Sequence, residues 1–459
     1  MAGVILPLIL IVVALVTAAV AAYGTAAEWA SRWGGGGLDL IYFARRIQWP
    51  LFTVCFLSCV ALLLLVISGK RRVWWLIGLA PVLALFAHRF ATSPTRDFRV
   101  AENPTLVSAA QLPVGALRDE EWVVGLVVGG TTGPAEPQAY PYAALWRTPV
   151  VIQTAYDQRF ILLWNPFANF ARAAVIDRDV SPRELEVVSM PVNALLVYNA
   201  RYGQFINGIT GLKPDGTAPT GFGRELPVQV MSWSRWRAIH PATKVLAPPP
   251  RSDELATAAA VPLRPRYAIP PTTRPTADPI ATAPGAAVES APIETPVVLI
   301  RTTTPMALLP TDISDTPINL SQPTSTAIVF RESKWGRVRA FSRRTEGSEL
   351  RMAPIPEFLK KLPGAAMVDV ASASMWSETG RSVESTGPFL GRALEPIPVF
   401  EGGYFEVLSY WIPTLKVHHV TSRDFAEVQP PPPPPPATRP ARKPATPARK
   451  PAPTRKAPR

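Results

Sequence analysis

Two cysteines and four histidines in 459 residues leave this chain poor in the side chains that bind soft metals or move protons near neutral pH. Both cysteines, Cys55 and Cys59, lie in one apolar run, so a disulfide framework elsewhere in the chain is excluded. Their i, i+4 spacing puts them on one helix face, where a metal would need two further ligands; packing is the simpler role. Acidic residues are the next shortage, with 34 Asp and Glu against 47 Lys and Arg and a formal net charge of +13. The excess sits mainly in the tail, where Arg439, Arg442, Lys443, Arg449, Lys450, Arg455, Lys456 and Arg459 supply eight positive charges and no acid. The remainder is only mildly basic, so no specific nucleic-acid site is expected in the globular part. The glycine run 34–37 lacks the Lys-Ser/Thr of a phosphate loop and reads as a flexible connection.

What the chain does have is apolar length. Residues 4–23 carry no charge and suffice to cross a bilayer. A signal peptide is the competing reading, but no Lys or Arg precedes the stretch and further apolar spans follow. Residues 49–69 form a second span and 73–90 a third, with Trp74 and Trp75 suited to the interface and His88 and Arg89 snorkelling toward it. Residues 1–92 thus read as a three-span membrane region. No acid, Lys or Arg lies deep within a span, which favours anchoring over an ion or carrier path. A transporter component is the weakest of the functional readings.

Orientation has two opposing signals. The tight basic connection Lys70-Arg71-Arg72 favours an inside N-terminus and an outside domain. Arg32, Arg45, Arg46, Arg89, Arg96 and Arg99 lie on the other side and outnumber it, which favours a cytoplasmic domain.

Beyond the spans, residues 100–246 read as β-rich. Residues 122–128, 150–154, 160–164 and 195–198 are β-prone runs, and 232–239 has the look of a short helix. Residues 297–425 form a second β-rich half. Tyr202-Gly203, Gly211, Gly221, Leu226-Pro227, Trp233, Trp236 and His240-Pro241 recur in kind as Ser374-Met375-Trp376, Gly380, Gly391, Pro396, Trp411 and Ile412-Pro413. Each series is followed by Lys-Val, Lys244-Val245 and Lys416-Val417. Glycine and proline at matched intervals set turns while aromatics fill a core, so two related halves of one unit are predicted. Between them, 247–296 is rich in Pro, Ala and Thr and is expected to be a disordered linker. Residues 426–459 continue as a polyproline rod and a basic tail; the tail's charge suits anionic lipid or an acidic envelope polymer.

The series Gln138-Ala139-Tyr140-Pro141-Tyr142, the turn Asn165 to Ala168, Ile176-Asp177-Arg178 and Trp233-Ser234-Arg235-Trp236 through His240-Pro241 resembles the prokaryotic family catalogued as domain of unknown function 3179. The resemblance covers about 118–246, and about 326–420 matches that family's closing section. It implies no established activity; its members commonly look exported or membrane-attached, which places the soluble domain outside the cell membrane. It also implies departures. A His-Glu pair is replaced by Thr148 and Pro149, an Asn-Asp pair by Ile152 and Gln153, and two cysteines by Asn165 and Ala168. The first copy has Gln204-Phe205-Ile206 where the second keeps Ser374 and Trp376. These exchanges remove ionisable and metal-binding groups while keeping glycine, proline and tryptophan.

The residues therefore point to a membrane-anchored binding or scaffold protein whose family site has lost its polar groups. No catalytic or metal-ligating set emerges and no cofactor is expected. The rival is an extracytoplasmic enzyme or redox protein with a site around Ser374, Trp376 and Glu378. His240, at a helix exit, reads as packing, and the adjacent His418 and His419 diverge on a strand. Asp177, Asp215 and Asp369 have no partner that spacing supplies, and Asp215-Gly216 reads as a turn.

Overall fold

Helices come first, as unbroken apolar composition dictates. The computed structural model describes residues 2–26, 38–69, 73–92, 98–129, 136–267, 269, 295–322, 325–333, 336–345, 347–359, 361–383 and 388–428. The basic connection 70–72, the glycine run 34–37, most of the linker (270–294) and the tail from 429 lie outside the described residues. Helix α1 is Ala2–Tyr23, α2 is Leu38–Ile67, and α3, Ala80–Thr92, continues a 3-10 turn at Val73–Leu79. Three stretches, Ile5–Tyr23, Asp39–Ile67 and Val73–Ala91, are long and apolar enough to cross a membrane. Cys55 Sγ donates to Ala14 O at 3.5 Å and Gln48 Nε2 to Ala21 O at 3.1 Å, so α1 and α2 run antiparallel. Val82 packs with Ala14 and Cys55, while Tyr23 Oη and His88 Nδ1 lie 2.5 Å apart, so α3 runs parallel to α1.

The second helix starts at Leu38, well before the predicted 49. Its 30 residues span about 45 Å, against a hydrocarbon core of roughly 30 Å. The extra turns leave the bundle and dock on the β-rich domain. Ile41 is buried with Val188, Leu196 and Phe205, and the rings of Tyr42 and Phe205 lie 4.7 Å apart. Arg45 pairs with Glu186 and lies over the Tyr198 ring. Pro50 sits where this docked portion meets the span. A partner surface, invisible to composition, keeps residues 38–48 helical.

The first half of the domain has strands β1 (Val100–Glu102), β2 (Leu106–Ser108), β3 (Trp122–Val128), β4 (Glu136–Pro141), β5 (Val150–Ala155), β6 (Gln158–Asn165) and β7 (Phe170–Ile176). It continues with β8 (Leu185–Ser189), β9 (Leu196–Asn199), β10 (Gln204–Asn207), β11 (Phe222–Leu226), β12 (Val228–Ser232) and β13 (Lys244–Leu246). Short helices α4 (Tyr142–Leu145), α5 (Trp233–Ile239) and α6 (Glu254–Ala258) lie among or after them. The second half has β14 (Pro296–Ile300), β15 (Met306–Leu308), β16 (Ile318–Gln322), β17 (Ser325–Arg331), β18 (Val338–Ser342), β19 (Arg344–Thr345) and β20 (Ser348–Glu349). Then come β21 (Met352–Pro354), β22 (Met367–Asp369), β23 (Met375–Trp376), β24 (Val399–Tyr404), helix α7 (Phe405–Trp411) and β25 (Lys416–Val417).

The two halves share one topology. Sheet order β12-β3-β4-β13, extended by β2, matches β24-β14-β15-β25, with the last pair parallel in each. Antiparallel meanders β5-β6-β7 and β16-β17-β18 follow, then β8-β9-β10 and β21-β22-β23. The pair Val197–Ile206 has the place of Met367–Trp376, and α5 and α7 each have seven residues. The shared pattern thus begins at β14, about thirty residues before the 326 that residue matching suggested, because the opening strands carry no matched glycine or tryptophan.

In the first half the meander is sandwiched. Phe160, Leu162 and Trp164 face the β3-β4-β12 sheet with Val124, Leu126 and Val230. Ile161 and Leu163 face the other way, with Val187, Leu195 and Val197. Burial of both faces explains why 160–164 is apolar without alternation. A further core joins the halves: Ala168, Phe170 and Ile209 pack against Val297, Phe400, Tyr404 and Val407. Residues 247–267, predicted as disordered linker, instead return to the first half. There Arg251 pairs with Glu121 at 2.9 Å, Ala256 and Ala260 pack on Ala143, and Asn193 Nδ2 donates to Tyr267 O at 2.8 Å. Proline-rich composition does not exclude order where a neighbouring surface supplies partners.

Candidate functional site

The β5–β6 hairpin brings most of the exchanged family positions together. Its ladder pairs Val150 with Leu163, and Trp164 N donates to Pro149 O at 2.8 Å. Thr148 lies just before this ladder, while Asn165 closes β6. Ile152 and Gln153 lie about 10–17 Å further along β5. Past Asn165 the chain takes one 3-10 turn, Pro166–Ala168, and Asn169 closes it in the left-handed region at φ 46°.

Each position is occupied by structure-building contacts. Thr148 Oγ1 donates back to Ala144 O at 3.2 Å and so caps α4. Ile152 and Ala168 are fully buried in separate cores. Asn165 is also fully buried and ties three segments: Nδ2 donates to Phe170 O at 3.3 Å and Gly208 O at 3.0 Å, while Oδ1 accepts from Leu195 N at 2.7 Å. Both ends of the amide are thereby used. Only Gln153 Oε1, on the half-buried edge, is a buried acceptor with no partner. The set offers no ionisable group and no thiolate, so its chemistry is that of a packed hairpin end.

In the second half, Ser374, Trp376 and Glu378 do not converge. Ser374, just before β23, and Trp376, within it, are buried, and their Oγ and Nε1 lack partners. Trp376 packs on Phe389 with ring centroids 5.6 Å apart. Glu378 is turned to the surface, accepting from Ser333 N at 3.0 Å and Ser333 Oγ at 2.5 Å. His418 lies 3.3 Å from Asp424, and among the described residues no group of three His, Cys, Asp or Glu gathers as a metal would need. His240 packs against Trp236 with the rings tilted by 48°; burial, then the positive Arg337, pushes it down to about 4. Asp215 forms the turn read from the sequence, accepting from Thr217 N at 2.9 Å.

Two polar connections between the halves had no signal in spacing. Glu225 pairs with both Arg172 and Arg301, and Arg172 also donates to the carbonyls of Ile209 and Thr210. Burial, then repulsion from Arg301, pushes the Arg172 guanidinium well below its ordinary range, although Glu225 and the two carbonyls give it hydrogen-bond partners. Beside it lies a cavity of about 50 Å³, lined by Gly211, Leu212, Pro219 and Phe222. The second connection runs from Tyr142 Oη to Asn169 Oδ1 at 2.7 Å and from Asn169 Nδ2 to Gly402 O at 2.5 Å. Neither involves residues near one another in sequence, so only the fold reveals them.

A family model described as Protein of unknown function (DUF3179) matches residues 100–413, more than half of the chain. The chain belongs to this family. Comparison with curated proteins and with solved structures gave no match. The matched region starts at β1 and ends just after α7, so both halves and the segment between them form one family unit. The three membrane helices precede it.

Proposed function

We propose that the chain is a membrane-anchored binding or scaffold protein that performs no catalysis at the family's usual positions. The Asn165 amide carries this reading: where the resemblance implies a cysteine, a fully buried group uses both of its N–H donors and its oxygen to tie three backbone segments together. Ile152 and Ala168, as core residues, point the same way. Anchoring is supported by the docking of α2 on the β8–β10 sheet, which couples the domain to the bundle rather than leaving it on a free tether. The described acidic, basic and histidine residues of the spans, Asp39, Arg45, Arg46, His88 and Arg89, all lie toward the domain end, which supports a role at the junction rather than on a path across the bilayer. We place the domain outside the cell membrane, on the tight basic connection at 70–72 and the family's exported character. Elemental analysis of the full-length protein, purified in detergent after growth with zinc, iron and copper, tests the reading. The expected content is well below one metal ion per chain, and a stoichiometric metal would overturn it.

A further inference from the structure

Across the turn that follows Asn165 lies a segment of the chain itself. Leu263 and Tyr267 pack on the core that holds Phe167 and Met190, and Ile269 packs on the core that holds Ala168 and Ala194. The segment is shallow. Leu263, Pro265, Tyr267 and Ile269 are half-buried and Arg264 and Arg266 exposed, whereas Phe167 and Ala194 beneath them are buried. One side chain reads its backbone. Asn193 Oδ1 accepts from Arg266 N at 2.7 Å and from Tyr267 N at 2.8 Å, and Asn193 Nδ2 donates to Tyr267 O at 2.8 Å.

Asn193 is a fixed receptor for these groups. It is fully buried, and it follows Val192 in the left-handed region, the pair standing at φ 66° and 47°. A β-branched residue rarely takes that conformation, and it persists only where the surroundings impose it, most often at functional sites. Here Trp411 Nε1, from the second half, donates to Val192 O at 3.2 Å. The amide thus offers an acceptor and a donor to a passing backbone, as the edge of a sheet does when it captures an extended peptide. Such bonds accept any residue except proline. Phe167 adds selectivity: its ring meets the Tyr267 ring edge to face at 6.1 Å, and the Arg266 guanidinium lies 5.8 Å from its centroid.

We infer that this surface binds an extended segment of a partner protein in which arginine precedes an aromatic residue, and that residues 263–267 with Ile269 occupy it as an internal pseudo-ligand. The inference names the ligand class of the binding reading above and rests on it. Lifting the segment leaves both halves in place, because residues 270–294 separate it from β14. On its other side only Val261 and Pro262 join it to Ala260, which packs on Ala143 with α6. Those two residues reach at most about 7 Å, too little to carry the segment onto a second copy while α6 stays packed. The occupant that replaces it is therefore a foreign peptide rather than an exchanged strap.

The test uses the full-length protein in detergent and a fluorescein-labelled peptide with the sequence of residues 262–270, read by anisotropy. A tethered segment competes at an effective concentration of about millimolar order. Arg266→Pro combined with Tyr267→Pro removes both N–H groups that Asn193 accepts, and should let the peptide bind at least about tenfold more tightly than to the unaltered protein. Adding Asn193→Gly, which keeps the left-handed backbone, should abolish that gain, and a peptide carrying the same two prolines should not bind. No gain in the folded double variant would overturn the inference, as would a gain that survives Asn193→Gly. Should the double variant fail to fold, hydrogen exchange on the unaltered protein decides. Excess peptide should speed exchange of the Arg266 and Tyr267 amides at least about tenfold and leave those of β6 and β9 unchanged, and an unaffected segment would refute displacement. Stoichiometric metal in the elemental analysis would overturn the binding reading by itself, so the two failures are told apart.

Discussion

Replacing Asn165 by alanine removes one amide and strands three backbone groups at once. Leu195 N loses its acceptor, and Phe170 O and Gly208 O lose a donor, in a place with no solvent access. An orphaned buried N–H costs about 2 kcal/mol, and each under-satisfied carbonyl roughly 0.5–1, because a carbonyl tolerates a missing partner better. The sum is about 3–4 kcal/mol. For a domain of this size that lowers the thermal midpoint by roughly 5–6 °C. Asn165→Cys, which restores the residue the family resemblance implies, should recover little. A thiol is a weak donor and acceptor and cannot span three partners. Asn165→Asp separates the two ends of the amide. It keeps the acceptor for Leu195 N but faces two carbonyls with a carboxylate, so the new group's folded pKa is raised. Stability of that variant is retained below the unfolded value near 4 and lost as pH rises through the folded one. It should therefore melt at a higher temperature at pH 5 than at pH 8. Tryptophan emission of the full-length protein in detergent reads each midpoint. An alanine variant within about 2 °C of the unaltered protein would refute the argument and return Asn165 to the list of functional candidates.

Proteolysis within 270–294 should leave both fragments associated, since Phe170, Phe400 and Val407 share one core; fragments that separate on a sizing column without denaturant would mean independent domains. Acidification should weaken the fold through His240. Its folded pKa lies below the ordinary one, so its contribution is complete above pH 6.5 and declines toward pH 4, by on the order of 1 kcal/mol after discounting for the half-exposed ring. His240→Phe should flatten that part of the stability profile, and an unchanged slope would remove His240 from the account. Topology is read by labelling intact cells with an impermeant maleimide after replacing the native cysteines. Ser252→Cys, on an exposed turn, should react and Arg71→Cys should not; the reverse would put the domain in the cytoplasm, as the charge count suggests.

Continuous apolar composition was enough to locate three spans, because a segment without charges has one stable solvent. It did not locate the start of α2, since residues 38–48 are helical by virtue of Val188, Leu196, Phe205 and Glu186, which lie far along the chain. Strands 122–128 and 160–164 were legible from β-prone runs, and the turn at Asp215 from its side chain's local bond to Thr217. Partnership at long range was not. Asn165 and Ala168 stood out only as departures from a family pattern. That one is a three-way tie and the other part of the core between halves depended on bringing Gly208, Leu195 and Phe400 to the same turn. The Arg172–Glu225–Arg301 cluster has the same origin. Side-chain chemistry and local periodicity are properties of sequence, whereas which charges and amides share a desolvated volume is decided by strand order and by how the helices meet the sheets.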